Sequence, residues 1–351
     1  MLITVGSHIW TYLGYFILGI LIWSALSPIE TLGWWAGWFG NKIYADDVPP
    51  EGNLREVHPN ADCYIVFLSG VARVSGVTMS RREQGFLEKM ADAFPNAVII
   101  DDVFPYAVNN MALTEQPFFS RIWAWILRRK FNGPAILGNL INIRNILQVF
   151  TSVDKRYGPI FNQGMAEVLM HSLLRYDYQL DSKTPIYFVG LSGAAQMAVG
   201  ASNYLRGWVD APIYIISIGG VFSSEPSLVE IDHLYHLSGS KDRIQHLVLM
   251  LPGRWGLFSM SYWNRARRQG RATIIPMGPM QHTGKNSYLD IKRTLSDGTT
   301  FMEKTVMTVT DIINQTNAQL QGKAVTGTTV TGTTVTGTTV TGTEATNPGA
   351  A

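Results

Sequence analysis

The sequence predicts an α/β domain with a mainly parallel sheet and helices on both faces, preceded by one membrane-spanning helix. Three observations predict it. Strand and helix signals alternate from about residue 62 to 320, an uncharged apolar run occupies Ile9–Leu26, and a small-Ser-small turn, Gly190-Leu191-Ser192-Gly193-Ala194, joins an apolar strand to a helix. Such alternation sets strands side by side in parallel, with helices as the crossovers.

The run from Ile9 to Leu26, IWTYLGYFILGILIWSAL, rises about 27 Å as a helix, against the roughly 30 Å hydrocarbon core of a bilayer. Trp10, Tyr12 and Trp23 stand near its ends, where interfacial aromatic belts form. The expected partner is therefore the lipid bilayer, crossed once. A cleavable signal is the alternative, but the run is long for one, no Lys or Arg precedes it and no A-x-A site follows. Next, Trp34, Trp35, Trp38 and Phe39 lie among glycines. They read as a segment in the interface plane, which makes 1–42 one membrane unit; a hinge packed on the globular domain is the other reading. Residues 43–61, with Asp46, Asp47, Pro49, Pro50, Gly52 and Pro59, read as a linker.

Within 62–320, strands are expected near 63–69, 97–101, 185–190, 213–218, 233–238 and 272–277. Helices are expected near 80–93 and 160–175, with a closing one near 300–320 whose Phe301, Val306, Val309, Ile312 and Ile313 share a face. The interval of about 104–158 is too long for a simple crossover and reads as an inserted cap. Its stretch Phe118–Lys130 mixes Trp123 and Trp125 with Arg121, Arg128, Arg129 and Lys130. Such a stretch either packs over a pocket or lies on an anionic membrane surface. Trp255–Arg271, with Phe258, Tyr262 and Trp263 before Arg265, Arg267, Arg268 and Arg271, has the same character. Either arrangement puts an apolar entrance near the site and favours a lipophilic substrate. From Val325 the pentapeptide VTGTT recurs. A tail with no aromatic and almost no charge buries too little surface to offset its ordering entropy, so 321–351 is expected to be disordered.

With 351 residues, about 260 of them in the domain, the chain can bury a large core. Lys and Arg total 28 against 26 Asp and Glu, a balance that gives no basis for nucleic-acid binding. No zinc-finger or Walker spacing appears, so no metal or cofactor is expected. The single cysteine, Cys63, excludes an intramolecular disulfide and falls within the first strand. A small excess of Lys42 and Arg55 after the span points to a cytoplasmic domain. The Thr-rich tail, of a kind glycosylated outside the cell, points the other way.

Ser192 is the candidate nucleophile. A serine hydroxyl reacts only where a sharp turn exposes it and a base takes its proton. Gly190 precedes it by two residues, and Ala194, the nearest substitute for glycine, follows by two. Asp242 ends Gly239-Ser240-Lys241-Asp242 after the strand near 233–238, and His282 follows the strand near 272–277. In this order, Ser then Asp then His, each past the carboxyl end of a strand, the chain resembles the α/β-hydrolase superfamily over roughly 62–320. The resemblance implies Ser192 as nucleophile, His282 as general base and then acid, and Asp242 orienting the imidazole. It also implies an oxyanion hole of the Gly193 amide and one from the turn after the first strand, where Gly70 permits close approach and Val71 is the candidate donor. The expected partner is a lipophilic acyl ester.

Rival residues are weighed on position. His233 and His236 fall inside a strand, His171 lies on an amphipathic stretch, and His246 is near the acid loop. Asp232 precedes its strand, the wrong end of a parallel sheet. Asp101 and Asp102 follow another strand. Two other functions stay open: an acyltransferase using the same three residues with an alcohol acceptor, and a hydrolase-like scaffold without turnover, for which Ala194 and Leu191 are the departures from pattern.

Overall fold

The structure, a computed structural model, describes residues 2–38, 61–76, 78–110, 112, 113, 121, 124, 125 and 136–330. The expected linker 43–61 and most of Phe118–Lys130 lie outside the described residues. Met1–Thr310 form one compact unit and Asp311–Ala351 a second.

The first unit holds a six-stranded, wholly parallel sheet in the order β2-β1-β3-β4-β5-β6. The strands are β1 (Cys63–Leu68), β2 (Ala97–Ile100), β3 (Ile186–Leu191), β4 (Ile213–Ile218), β5 (His233–Ser238) and β6 (Ala272–Pro276). Each starts and ends within one residue of its expected bounds. β1 and β4 are buried along their whole length, as strands covered by helices on both faces must be. Cys63 is a buried member of β1.

Helices α1 (Leu2–Leu26) and α2 (Pro28–Trp35) precede the sheet. Between its strands run α3 (Arg81–Ala93), α4 (Ile136–Val153), α5 (Gly158–Arg175), α6 (Ala194–Leu205) and α7 (Tyr262–Arg268). α3 starts at a capping box: Ser80 accepts from the Glu83 amide while the Glu83 carboxylate accepts from the Ser80 amide. α4 occupies the end of the expected cap and packs against α5 and α6. The last helix, α8 (Phe301–Val330), buries Phe301, Val306 and Val309. α8 passes the expected end at 320 and takes in the first VTGTT copy. A helix already nucleated gains one bond per residue fixed, which carries weak helix formers along. The rest of the repeat tail lies outside the described residues.

Among the described residues, one helical stretch is long and apolar enough to cross a membrane, Thr11–Trp35, with mean hydropathy 1.7. Tyr12, Tyr15, Phe16 and Leu21 of α1 stand more than half exposed. α2 is divided between a buried and an exposed side. Pro28, Thr31 and Gly33 are buried, and the Trp34 ring lies so close to Gly164 of α5 that a Cβ there would meet it at 3.0 Å. Trp34 thus packs on the domain, while Trp35 and Trp38 face outward. The Trp255–Arg271 stretch divides in the same way. Trp255, Phe258 and Tyr262 are exposed, but Trp263 is buried with the Arg254 guanidinium over its face.

Strand order changes direction at β1. The chain passes from β1 outward to β2, then returns to the other side of β1 for β3 and proceeds to β6. A parallel sheet binds ligands at such a switch point, beyond the carboxyl ends of its strands. Gly70 and Val71 follow β1 there, and Ser192 and Gly193 follow β3.

Candidate active site

Ser192 adopts φ +58°. The other non-glycine residues with positive φ among those described are Asn110, Asp177 and Asn286, types that tolerate this region. For a serine it is strain of roughly 1–3 kcal/mol, sustained only where surroundings over-determine it. Three bonds do so: Ser192 N–H donates to Ile218 O at 3.1 Å, and Ser192 O accepts from Ala195 N and Val221 N, both at 3.2 Å. Gly190 is required by the same turn, since a Cβ would stand 2.8 Å from the Ala195 Cα. Ala194 meets no such limit; it is fully buried as the first residue of α6.

The structure brings Ser192, His282 and Asp242 together. Ser192 Oγ is 2.7 Å from His282 Nε2, and His282 Nδ1 is 2.9 Å from Asp242 Oδ2 and 3.0 Å from Oδ1. With the carboxylate ionised, Nδ1 must carry its proton. The Nε2 lone pair then accepts from the serine hydroxyl.

Asp242 is completely buried. Burial, the largest influence, pushes its carboxyl up, but the His282 hydrogen bond and charge, with the Gln245 amide and the Tyr288 hydroxyl, hold it below the ordinary carboxylate range. Two amides, Ile244 N at 3.0 Å and Gln245 N at 3.2 Å, donate to Oδ1. Tyr288 donates its hydroxyl to Oδ2 at 3.0 Å and accepts from Gly239 N at 2.7 Å. Sequence reasoning missed Tyr288, for it sits in a loop with no strand or helix signal around it.

The Val71 and Gly193 segments touch: a Cβ on Gly193 would lie 3.1 Å from Val71 Cγ1 and 2.9 Å from Val149 Cγ2 of α4. Among the described residues neither amide donates to another backbone carbonyl outside the helices and strands. Gly70 is less constrained than expected, since a Cβ there would meet the Leu191 side chain at an ordinary 3.7 Å. A cavity of about 660 Å³ reaches Ser192 and His282. Its wall is largely apolar, from Val71, Val74, Met79, Leu191 and Leu289, and Arg82 and Glu83 also line it.

Four of the rivals, His236, His233, Asp232 and Asp102, are engaged elsewhere. His236 is buried edge-on to Phe222, its Nδ1 3.1 Å from Ser217 Oγ. Burial and the Arg254 charge lower its pKa to about 3, so it stays neutral at pH 7. His233 faces Thr273. Asp232 lies at the amino end of β5, paired with Arg206 and accepting from Ile213 N. Asp102 pairs with Arg175, and the Asp101 carbonyl holds Arg73. No cluster of three or more His, Cys, Asp or Glu able to hold a metal occurs among the described residues.

Tyr288→Phe isolates one bond to the acid: removing this donor from a buried carboxylate is expected to cost about 1–3 kcal/mol of stability, read by chemical denaturation. An unchanged denaturation midpoint would show that the bond adds nothing to the folded state.

No protein-family model matches the chain, and no curated protein matches it.

Proposed function

We propose that the chain is a membrane-anchored serine hydrolase of α/β-hydrolase type, cleaving a carboxylic ester or thioester with a lipophilic acyl group through an acyl-serine intermediate. The observation that carries this reading is the line from strained Ser192 to His282 Nε2 at 2.7 Å and from His282 Nδ1 to Asp242 at 2.9 Å. In the first half-reaction Ser192 Oγ attacks the carbonyl carbon while its proton passes to Nε2. The Val71 and Gly193 amides face the oxyanion that results. The intermediate then expels the alcohol or thiol, which takes the proton back from Nε2. Water repeats the sequence on the acyl-serine and releases the acid. Asp242 keeps the imidazole in the required tautomer and stabilises its cationic form without itself being protonated. The apolar cavity beside Ser192 supports a lipophilic acyl group, and α1 supports attachment to a bilayer.

A fluorophosphonate probe applied to the detergent-solubilised protein, with peptide mass spectrometry, tests the reading. Labelling is expected at Ser192 and lost in Ser192→Ala. A folded sample with an accessible site that takes up no label would instead favour a scaffold without turnover.

A further inference from the structure

Helix α4 carries seven polar residues, Asn139, Asn142, Arg144, Asn145, Gln148, Thr151 and Ser152, of which the last five are buried. One end of this set holds the membrane segment. Arg144 Nη2 donates to both oxygens of Glu30 on α2, at 2.6 and 2.7 Å, and Gln148 Nε2 donates to Glu30 Oε2 and Ser27 Oγ, both at 3.2 Å. The Arg144 side chain is 4 % exposed, so this charge has little water to fall back on.

The other end holds the loop after β1. Asn145, fully buried, donates through Nδ2 to Val71 O at 2.7 Å and Arg73 O at 2.8 Å, while its Oδ1 accepts from Arg144 Nη1 at 3.0 Å. Arg144 Nη1 also donates to Tyr106 O, and the Tyr106 hydroxyl donates to Ser69 O at 3.0 Å. The peptides on either side of Gly70–Val71 are thereby held by their carbonyls. The Gly70–Val71 peptide is held directly, because Gly70 O accepts from Arg73 N at 3.2 Å. In a planar trans peptide the N–H points opposite to the C=O, so fixing Gly70 O fixes the direction of the Val71 N–H.

We infer that Glu30, Arg144 and Asn145 are positioning residues that couple the membrane segment to the oxyanion loop, so that the anchor aligns the Val71 amide as well as tethering the domain. The inference rests on the hydrolase reading for its effect on rate, but the coupling itself is a property of the loop and can be measured without turnover. A donor that has lost its alignment loses most of its value, because its worth lies in being aimed before charge develops.

The test uses the full chain in lipid nanodiscs and two variants, Glu30→Gln and Glu30→Gln/Arg144→Met. The second removes both charges and so leaves no unpaired guanidinium to unfold the protein. Two quantities are read: amide exchange of the peptide covering 69–75, and the rate of Ser192 modification by the fluorophosphonate. Faster exchange at 69–75 together with about a tenfold slower modification is expected in both variants. Restoration of both by Glu30→Asp would support the coupling. Wild-type exchange in the double variant would overturn it, whatever the rate. Faster exchange in a protein whose wild type never reacts with the probe would uphold the coupling and remove the hydrolase reading instead.

Discussion

Replacement of His282 by alanine is expected to lower kcat on a soluble short-chain ester by about ten-thousand-fold or more, while leaving the fold intact. The size follows from what the imidazole does in the proposed mechanism. It takes the Ser192 proton in one half-reaction and returns one to the leaving group, so both half-reactions lose their acid and base together. Two of the other histidines, His236 and His233, are engaged elsewhere and cannot replace it. His236 is neutral, buried and bonded to Ser217, and His233 faces Thr273. The fold is spared because His282 borders the cavity, not the packed core, and its removal enlarges a space already open. Circular dichroism and a thermal melt check the second half of the expectation. Full activity in a folded His282→Ala sample would reject the assignment.

The central strands were legible because β1, β3 and β4 are short apolar runs rich in Ile, Val and Tyr between turn residues, and strands buried along their length require such runs. Ser192 was legible because its turn needs small neighbours, and Gly190 indeed has backbone 2.8 Å from where a Cβ would be. The rest depended on long-range contacts that leave little local trace. Tyr288 reaches Asp242 from 46 residues away, in a loop without periodicity. Trp34 and Trp35 are adjacent and identical in type, yet one packs against Gly164 and the other faces outward. A helix turns about 100° per residue, so neighbours take different faces, and only the partner surface decides which is covered. Asn145 did leave a signal. Asn139, Asn142, Asn145, Gln148 and Thr151 recur at intervals of three along a mostly apolar helix, and a polar stripe on a helix that must be buried asks for polar partners.

Gly219→Ala is expected to produce the second large effect, on stability and activity together. Gly219 has φ +53° just after β4, and a Cβ there would stand 2.5 Å from Tyr288 Cε2 and 2.8 Å from Asp242 Oδ2. Neither neighbour can yield cheaply. Both are buried, and each is tied to a backbone amide, Tyr288 to Gly239 N and Asp242 to Gln245 N. The positive φ alone costs an alanine about 1–2 kcal/mol. Displacing a tyrosine ring and a carboxylate should bring the total to about 3 kcal/mol or more. A shift of the carboxylate approaching 1 Å would also turn the imidazole out of line with Ser192, costing about a hundredfold in kcat. Gly270→Ala separates the two causes, because Gly270 has φ +69° and nothing within 4 Å of its Cβ position. That variant should show the backbone strain alone, a loss of about 1–2 kcal/mol with kcat unchanged. Equal losses of stability and activity in the two variants, measured by chemical denaturation and ester turnover, would mean that contact with Tyr288 and Asp242 is not what requires glycine at position 219.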